Sequence, residues 1–444
     1  MGNNTSYEKQ EQWLEKWSIP EGVTFVNSDA EKSFMDKAAR IRDAVLRKKL
    51  PDRVPVIPLT GTFPAIYAGY TFQDVMYDYE KLNKAFKKFN VDFDPDAETG
   101  NVGPSAGKVY DILEWQLYKW PGHGVEPQHS YQCIEGEYMK ADELDIFIMD
   151  PSYFMLNRYL PRIFKKLEPL GMLPHFTDIQ EMYGTFSATD LIPFGIPPVQ
   201  EALKALMEAG NEAMKWIGAV AEYGKDIKES GFPSLFGGGC KAPFDVLGDT
   251  WRGTKGIMMD MYRQPDKLLK AVEMIIPMSI KMAVDACKQN NNPITFMPLH
   301  KGADGFLSDE QFRKFYWPSL KAVFDGLIAE GCIPLPFVEG GYNSRIDLIS
   351  KDMPKGHMVW LFDLTDMKKV KELLGDKVCI AGNMPVALLN VGTVDQIKEH
   401  AKKLIDTCGK DGGYLMMNGA VIDDSKFENV KAMIDFTKEY GVYK

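Results

Sequence analysis

The sequence predicts an α/β fold, a (β/α)8 TIM barrel with an N-terminal helical extension, on three observations. In the carboxyl half, β-rich apolar runs alternate with helical segments, the pattern of βαβ units and a parallel sheet. At the ends of those runs stand His300, Glu339, Asp363 and Asn383, and the carboxyl ends of barrel strands are where active sites gather. The chain has 444 residues, 45% hydrophobic and 26% charged, which suits a large buried core. That length permits several domains, but one barrel with extensions absorbs most of it.

In chain order, residues 30–50 place apolar side chains at helical spacing and stop at Pro51, so a helical extension is expected over 1–52. "RVPVIPL" (53–59) reads as a short buried strand that opens a barrel expected to span 53–444. Helices are expected at 78–90, 152–168 and 197–229, and a β-hairpin at 130–140, whose polar centre suits a turn. The stretch between 100 and 230 reads as insertions over the barrel mouth. The remaining strands are expected at 232–238, 294–300, 333–339, 358–364, 377–383 and 413–419. Neither a dinucleotide-binding glycine motif after the first strand nor a P-loop is present, so phosphate-cradling folds lack support.

The formal charge of −10 argues against nucleic acid and against an anionic membrane surface, both of which favour basic partners. The cysteines at 133, 240, 287, 332, 379 and 408 form no CxxC pair and no dense framework, as expected of reduced thiols in the cytoplasm. The amino terminus lacks the apolar core of a signal peptide, and no run is long enough to span a membrane. A soluble, cytoplasmic protein is expected.

His300 closes "ITFMPLH" and Glu339 closes "IPLPFVE", so the two are expected to face each other across the mouth. A carboxylate between an apolar strand and two glycines is costly unless it is used. Its structural alternative is a salt bridge from Glu339 to Arg345. Asp363 joins the ring, or else caps the next helix in competition with Thr365 and Asp366. Asn383, Tyr342, Arg345 and Asn418 are the expected substrate-binding residues. Cys240 ends another strand and is a weak ligand candidate, whereas Cys379 lies within its strand and belongs to the core. "FYWP" (315–318) reads as core packing, and Lys301, Asp304 and Phe306 lie on the loop where a partner would approach.

The segments "KVCIAGNMPVALLNVGTVDQIKEHAKKLID" (377–406) and "GGYLMMNGAVIDDSKFENVKAMIDF" (412–436) are similar to the uroporphyrinogen decarboxylase superfamily. "RIRDAVLRKKLPDRVPVIP" (40–58) resembles that family's entry helix and first strand, so the likeness covers roughly residues 38–440. It implies a (β/α)8 barrel that is either a decarboxylase or a corrinoid-dependent methyltransferase. The decarboxylases carry an arginine-rich loop after the first strand, where this chain has "TGTFPAIYAGY" (60–70), and Arg252 and Arg345 are the obvious substitutes. The coenzyme M methyltransferases carry a His-x-Cys zinc site where this chain has Phe337 and Glu339, and no cysteine lies near Gly419. What is left resembles the methyltransferase of anaerobic O-demethylase systems. That likeness implies methyl transfer from a methoxylated aromatic compound to the cob(I)amide of a separate corrinoid protein. It also implies a zinc ion held by His300, Glu339 and Asp363 that activates the leaving oxygen; a homodimer suits the family. The alternative is decarboxylation of a small carboxylate or tetrapyrrole-like substrate.

Overall fold

The computed structural model describes residues 5–443. Two capped helices lead in: Thr5 and Glu8 exchange hydrogen bonds at the start of Ser6–Trp17, and Asn27 accepts the Ala30 N–H at the start of Ser28–Leu46. Such bonds satisfy donors that a first turn leaves without partners. The second helix stops before the predicted residue 50 because the chain turns left-handed at Arg47, with φ 57°.

Six strands form a parallel sheet in chain order: β1 (Gly238–Gly239), β2 (Ile294–Leu299), β3 (Ile333–Val338), β4 (Val359–Phe362), β5 (Cys379–Gly382) and β6 (Tyr414–Leu415). Two extended segments close the ring. On one side, Ile57 N–H donates to Met416 O at 2.9 Å and Met416 N–H to Pro55 O at 2.8 Å. Next to it, Asp96 N–H reaches Val56 O at 3.0 Å, and Glu98 bridges in parallel to Ser234, just before β1. Each neighbouring pair is therefore hydrogen-bonded around a closed barrel. Pro55 and Pro58 lack N–H donors, which reduces the predicted strand 53–59 to isolated bridges.

Side chains divide by the strand period of two. Ile294, Leu335, Phe337, Leu361, Cys379 and Ala381 fill the barrel, whereas Met297, Leu299, Val338, Trp360, Phe362 and Ile380 face the surrounding helices. Phe34, Ala38, Ile41 and Val45 join the inner set, so helix Ser28–Leu46 stoppers the barrel's amino end. Burying a side chain such as Phe34 or Ile41 contributes about 1.5–3 kcal/mol. At the same end the fully buried Asp96 accepts Arg40 at 2.6 Å, Arg53 at 2.7 Å and the Val56 N–H at 2.7 Å.

The expected helices at 78–90 and 197–229 are present as Tyr79–Phe93 and Pro197–Glu229. The expected helix at 152–168 is present over residues 151–163, where α-helical Pro151–Phe154, a π-helical turn Met155–Tyr159 and α-helical Leu160–Ile163 run on without a break, and it gives way to a 3-10 segment, Lys165–Met172, that contains Pro169. The hairpin at 130–140 is not formed. Instead Gln132–Cys133 pairs upstream with Tyr118 and Lys119, and Met139 N–H bonds Trp251 O. Ser130 reaches Asp423 at 3.2 Å and Glu135 accepts the Thr254 N–H at 2.6 Å, so this stretch lies across loops at the strand ends.

Candidate active site

His300, Glu339, Asp363 and Asn383 each follow directly on the last residue of β2, β3, β4 and β5. His300, Glu339 and Asp363 continue the inward alternation of Phe296, Phe337 and Leu361. His300 and Glu339 meet side by side from neighbouring strands rather than across the mouth, with Nε2 3.4 Å from the Glu339 carboxylate. The stronger partner of the imidazole is Asp249, whose carboxylate lies 2.6 Å from Nδ1. Asp249 also accepts Lys241 at 2.8 Å. Beneath it the fully buried Asp245 accepts the N–H groups of His300 at 3.0 Å and Lys301 at 2.9 Å and the Tyr316 hydroxyl at 2.7 Å. Asp245 thus fixes the strand end, and Asp249 fixes the ring.

The electrostatics follow from this packing. Burial disfavours the charged imidazole, but the bonds to Asp249 and Glu339 outweigh it and raise His300 to about 10. Burial also works against Asp249, and there the hydrogen bond from His300 and the charge of Lys241 prevail and lower its pKa. Asp245 is pushed up to about 6, first by burial and then by the Asp249 charge. His300 is therefore an imidazolium at neutral pH.

The other expected residues have different tasks. Asp363 accepts the Gly340 N–H at 3.0 Å and braces the exit of β3, while Asp366 caps helix Met367–Leu374. Burial raises the Asp363 pKa, the Gly340 N–H opposes that, and the Glu339 charge adds to it. Asn383 donates to the carbonyls of Asp363 at 2.6 Å and Thr365 at 2.9 Å. Asn418 is off the inward alternation: its amide accepts the Leu59 N–H and donates to the carbonyls of Leu59 and Ala420, knitting the barrel seam. Tyr342 is fully buried, its hydroxyl packed where a side chain at Gly302 would have to sit. Arg345 is 2% exposed, pairs with Asp309 and Asp304, and donates to the Leu307 carbonyl. The salt bridge weighed for Glu339 thus goes to the β2 loop instead. As placed, Asn418, Tyr342 and Arg345 hold structure rather than substrate, because their polar groups are buried or committed to neighbours.

Sequence reading passed over Asp245, Asp249 and Lys241. The two aspartates stand four apart after the glycine run that ends β1, a spacing that puts both on one helix face. Cys240 is buried, and that burial pushes its thiol up to about 12. Among the described residues no three His, Cys, Asp or Glu side chains gather as a metal site. His300 and Glu339 offer two donors, and Asp363 is turned to Gly340, so the arrangement falls short of the three or four ligands zinc takes. Nearer the amino end of the barrel, the rings of Phe236 and Phe296 lie 4.7 Å apart and those of Phe296 and Phe337 lie 5.9 Å apart.

A closed (β/α)8 barrel with titratable side chains at its strand ends defines the class. The sequence profile of the uroporphyrinogen decarboxylase (URO-D) family matches residues 194–440, and the chain belongs to that family. It is 26% identical to a uroporphyrinogen decarboxylase of Chlorobium luteolum over 40% of this chain and 51% of that one. With the uroporphyrinogen decarboxylase of Magnetococcus marinus it shares 29% identity over 31% of this chain and 39% of that one. The chain thus spans about half or less of these curated relatives. A methyltransferase from Methanosarcina mazei has a similar fold, with a TM-score of 0.58 and 16% identity over 92% of this chain and 98% of that one.

Proposed function

We propose that the protein transfers a methyl group from a small methylated donor, with a methoxylated aromatic compound favoured, to the cob(I)amide of a separate corrinoid protein. The observation that carries this reading is the His300 imidazolium held between Asp249 and Glu339 at the carboxyl ends of the barrel strands. In the reaction the methyl carbon accepts the electron pair of cobalt(I), the carbon–oxygen bond breaks, and the oxygen keeps that bond's electrons. His300 Nε2 then delivers a proton to the oxygen. An acid of pKa about 10 matches a phenol leaving group, whose own pKa is near 10. Such matching favours general acid catalysis late in bond cleavage.

The fold shared with the Methanosarcina mazei methyltransferase supports the reading. So does the fate of the arginines that a polycarboxylate substrate would need: Arg252 and Arg345 are both 2% exposed and committed to carboxylates. Zinc held by His300, Glu339 and Asp363 is the second reading, favoured by the way Asp249 orients the ring, as metal-bound histidines are oriented. It requires Asp363 to leave Gly340.

The test incubates purified protein with methoxybenzoates and free cob(I)alamin, follows methylcobalamin by absorbance, and measures metal content on the same sample. Methylcobalamin and the phenol should form in equal amounts. No transfer, with carbon dioxide released instead from a carboxylated substrate, restores the decarboxylase. One equivalent of zinc, lost in His300→Ala, gives the acid role to the metal.

A further inference from the structure

We propose that the cavity between the barrel wall and helix Pro197–Glu229 is a second ligand site, separate from His300, that takes a small aromatic molecule bearing a primary amine. The cavity holds about 720 Å³, within the range of about 300–1,000 Å³ typical of small-molecule sites. It opens because the segment at 96–98 and the chain before β1 are joined by a single bridge, Glu98 to Ser234, after which they diverge. Beyond that bridge the wall is the bare backbone of Gly237, Gly238 and Gly239, where a Cβ at Gly237 would meet Asn292 O at 1.9 Å and one at Gly238 would meet Ala283 O at 2.7 Å. Phe236 and Phe296 are therefore only partly covered, although both sit in the barrel wall.

The lining has the chemistry of a recognition site. Trp17, Phe34, Phe232, Phe236 and Phe296 contribute aromatic surface; of the two carboxyls in the lining, Glu21 is exposed, whereas Glu98 lies among the rings at 4% exposure. Glu98 accepts the Gly100 N–H at 2.5 Å, and among the described residues it has no ion pair. Burial pushes this carboxyl up, with Ser234 and Gly100 only partly offsetting the effect. An acid buried in an apolar cavity without a basic partner is costly, and a bound ammonium would supply the missing counter-charge. Lys228 and Lys16 also line the cavity, so an anionic comparator is needed to show that Glu98 and not the lysines sets the preference. The site is distinct from the proposed catalytic pair. Phe296 precedes His300 by four residues on the same strand, roughly 13 Å along it, and neither His300 nor Glu339 lines the cavity.

Calorimetric titration with 2-phenylethylamine tests this, with 3-phenylpropionate as the anionic comparator. The amine is expected to bind with submillimolar affinity and the anion at least tenfold more weakly. Glu98→Gln should weaken the amine at least tenfold. Gly224→Trp gives a second variant that spares the buried acid: a Cβ at Gly224 meets nothing within 4 Å, so the indole can enter the cavity and displace the amine. His300→Ala should leave binding unchanged. Failure of the amine to bind, equal binding of the anion, retention of affinity in folded Glu98→Gln and Gly224→Trp, or loss of binding in His300→Ala would each overturn the proposal.

Discussion

His300 owes its raised pKa, and hence its proton at neutral pH, chiefly to Asp249, so replacing that carboxylate separates charge from position. Asp249→Asn keeps a hydrogen-bond acceptor near Nδ1 but removes the charge that raises the imidazole to about 10. The folded-state pKa should fall by more than one unit toward the ordinary 6.5, and the upper limit of the pH–rate profile should fall with it. Nitrogen-15 NMR of the imidazole checks the first, and initial rates the second. A profile that does not move would remove His300 from the proton path. Glu339 stands on the opposite side of the ring and is half-exposed, able to meet a substrate. Glu339→Gln is expected to lower kcat strongly while changing KM little, the pattern of an interaction made mainly in the transition state. Equal losses in both constants would reassign it to binding.

At the scale of elements, the loops after β2 and β3 are locked together by Arg345, whose partners Asp304 and Asp309 come from the β2 loop. Arg345→Ala should destabilise the fold by about 3 kcal/mol, the low end for breaking a buried pair because Asp309 stays exposed. Urea unfolding measures it, and a loss under 1 kcal/mol would show the lock to be incidental. The barrel strands were legible because apolar runs ending in His300, Glu339, Asp363 and Asn383 combine strand period with a polar stop. That His300 and Glu339 belong to one ring was legible from two similar strand ends, but that they sit side by side on paired strands was not. The dominant partner was not visible, since Asp249 comes from a helical turn distant in sequence and only folding brings it to the ring. Asn418 misled for a related reason: next to a strand end, one step of alternation decides whether an amide faces substrate or the seam. The hairpin at 130–140 failed because the pairing partner of Gln132–Cys133 lies outside the local window.

For the whole molecule, the raised pKa of His300 couples the site to stability. A histidine at about 10 when folded and about 6.5 when unfolded binds its proton more tightly in the native state. Its contribution is complete below pH 6.5 and is lost as pH rises through about 10. The melting temperature of the wild type should therefore fall more steeply between pH 7 and 10 than that of His300→Gln, and parallel curves would contradict the assignment. No helix among the described residues is long and apolar enough to cross a membrane. The central claim is that His300 protonates the leaving oxygen during methyl transfer. It is tested most directly by rates of methyl transfer to cob(I)alamin from methoxyarenes of graded leaving-group acidity, in wild type and His300→Ala. General acid catalysis predicts a loss of roughly 10²–10⁴-fold for donors that leave as ordinary phenols, shrinking toward none for a nitrophenol that leaves unaided. A loss that is the same for every donor, or wild-type protein that transfers methyl from none of them, would contradict the account.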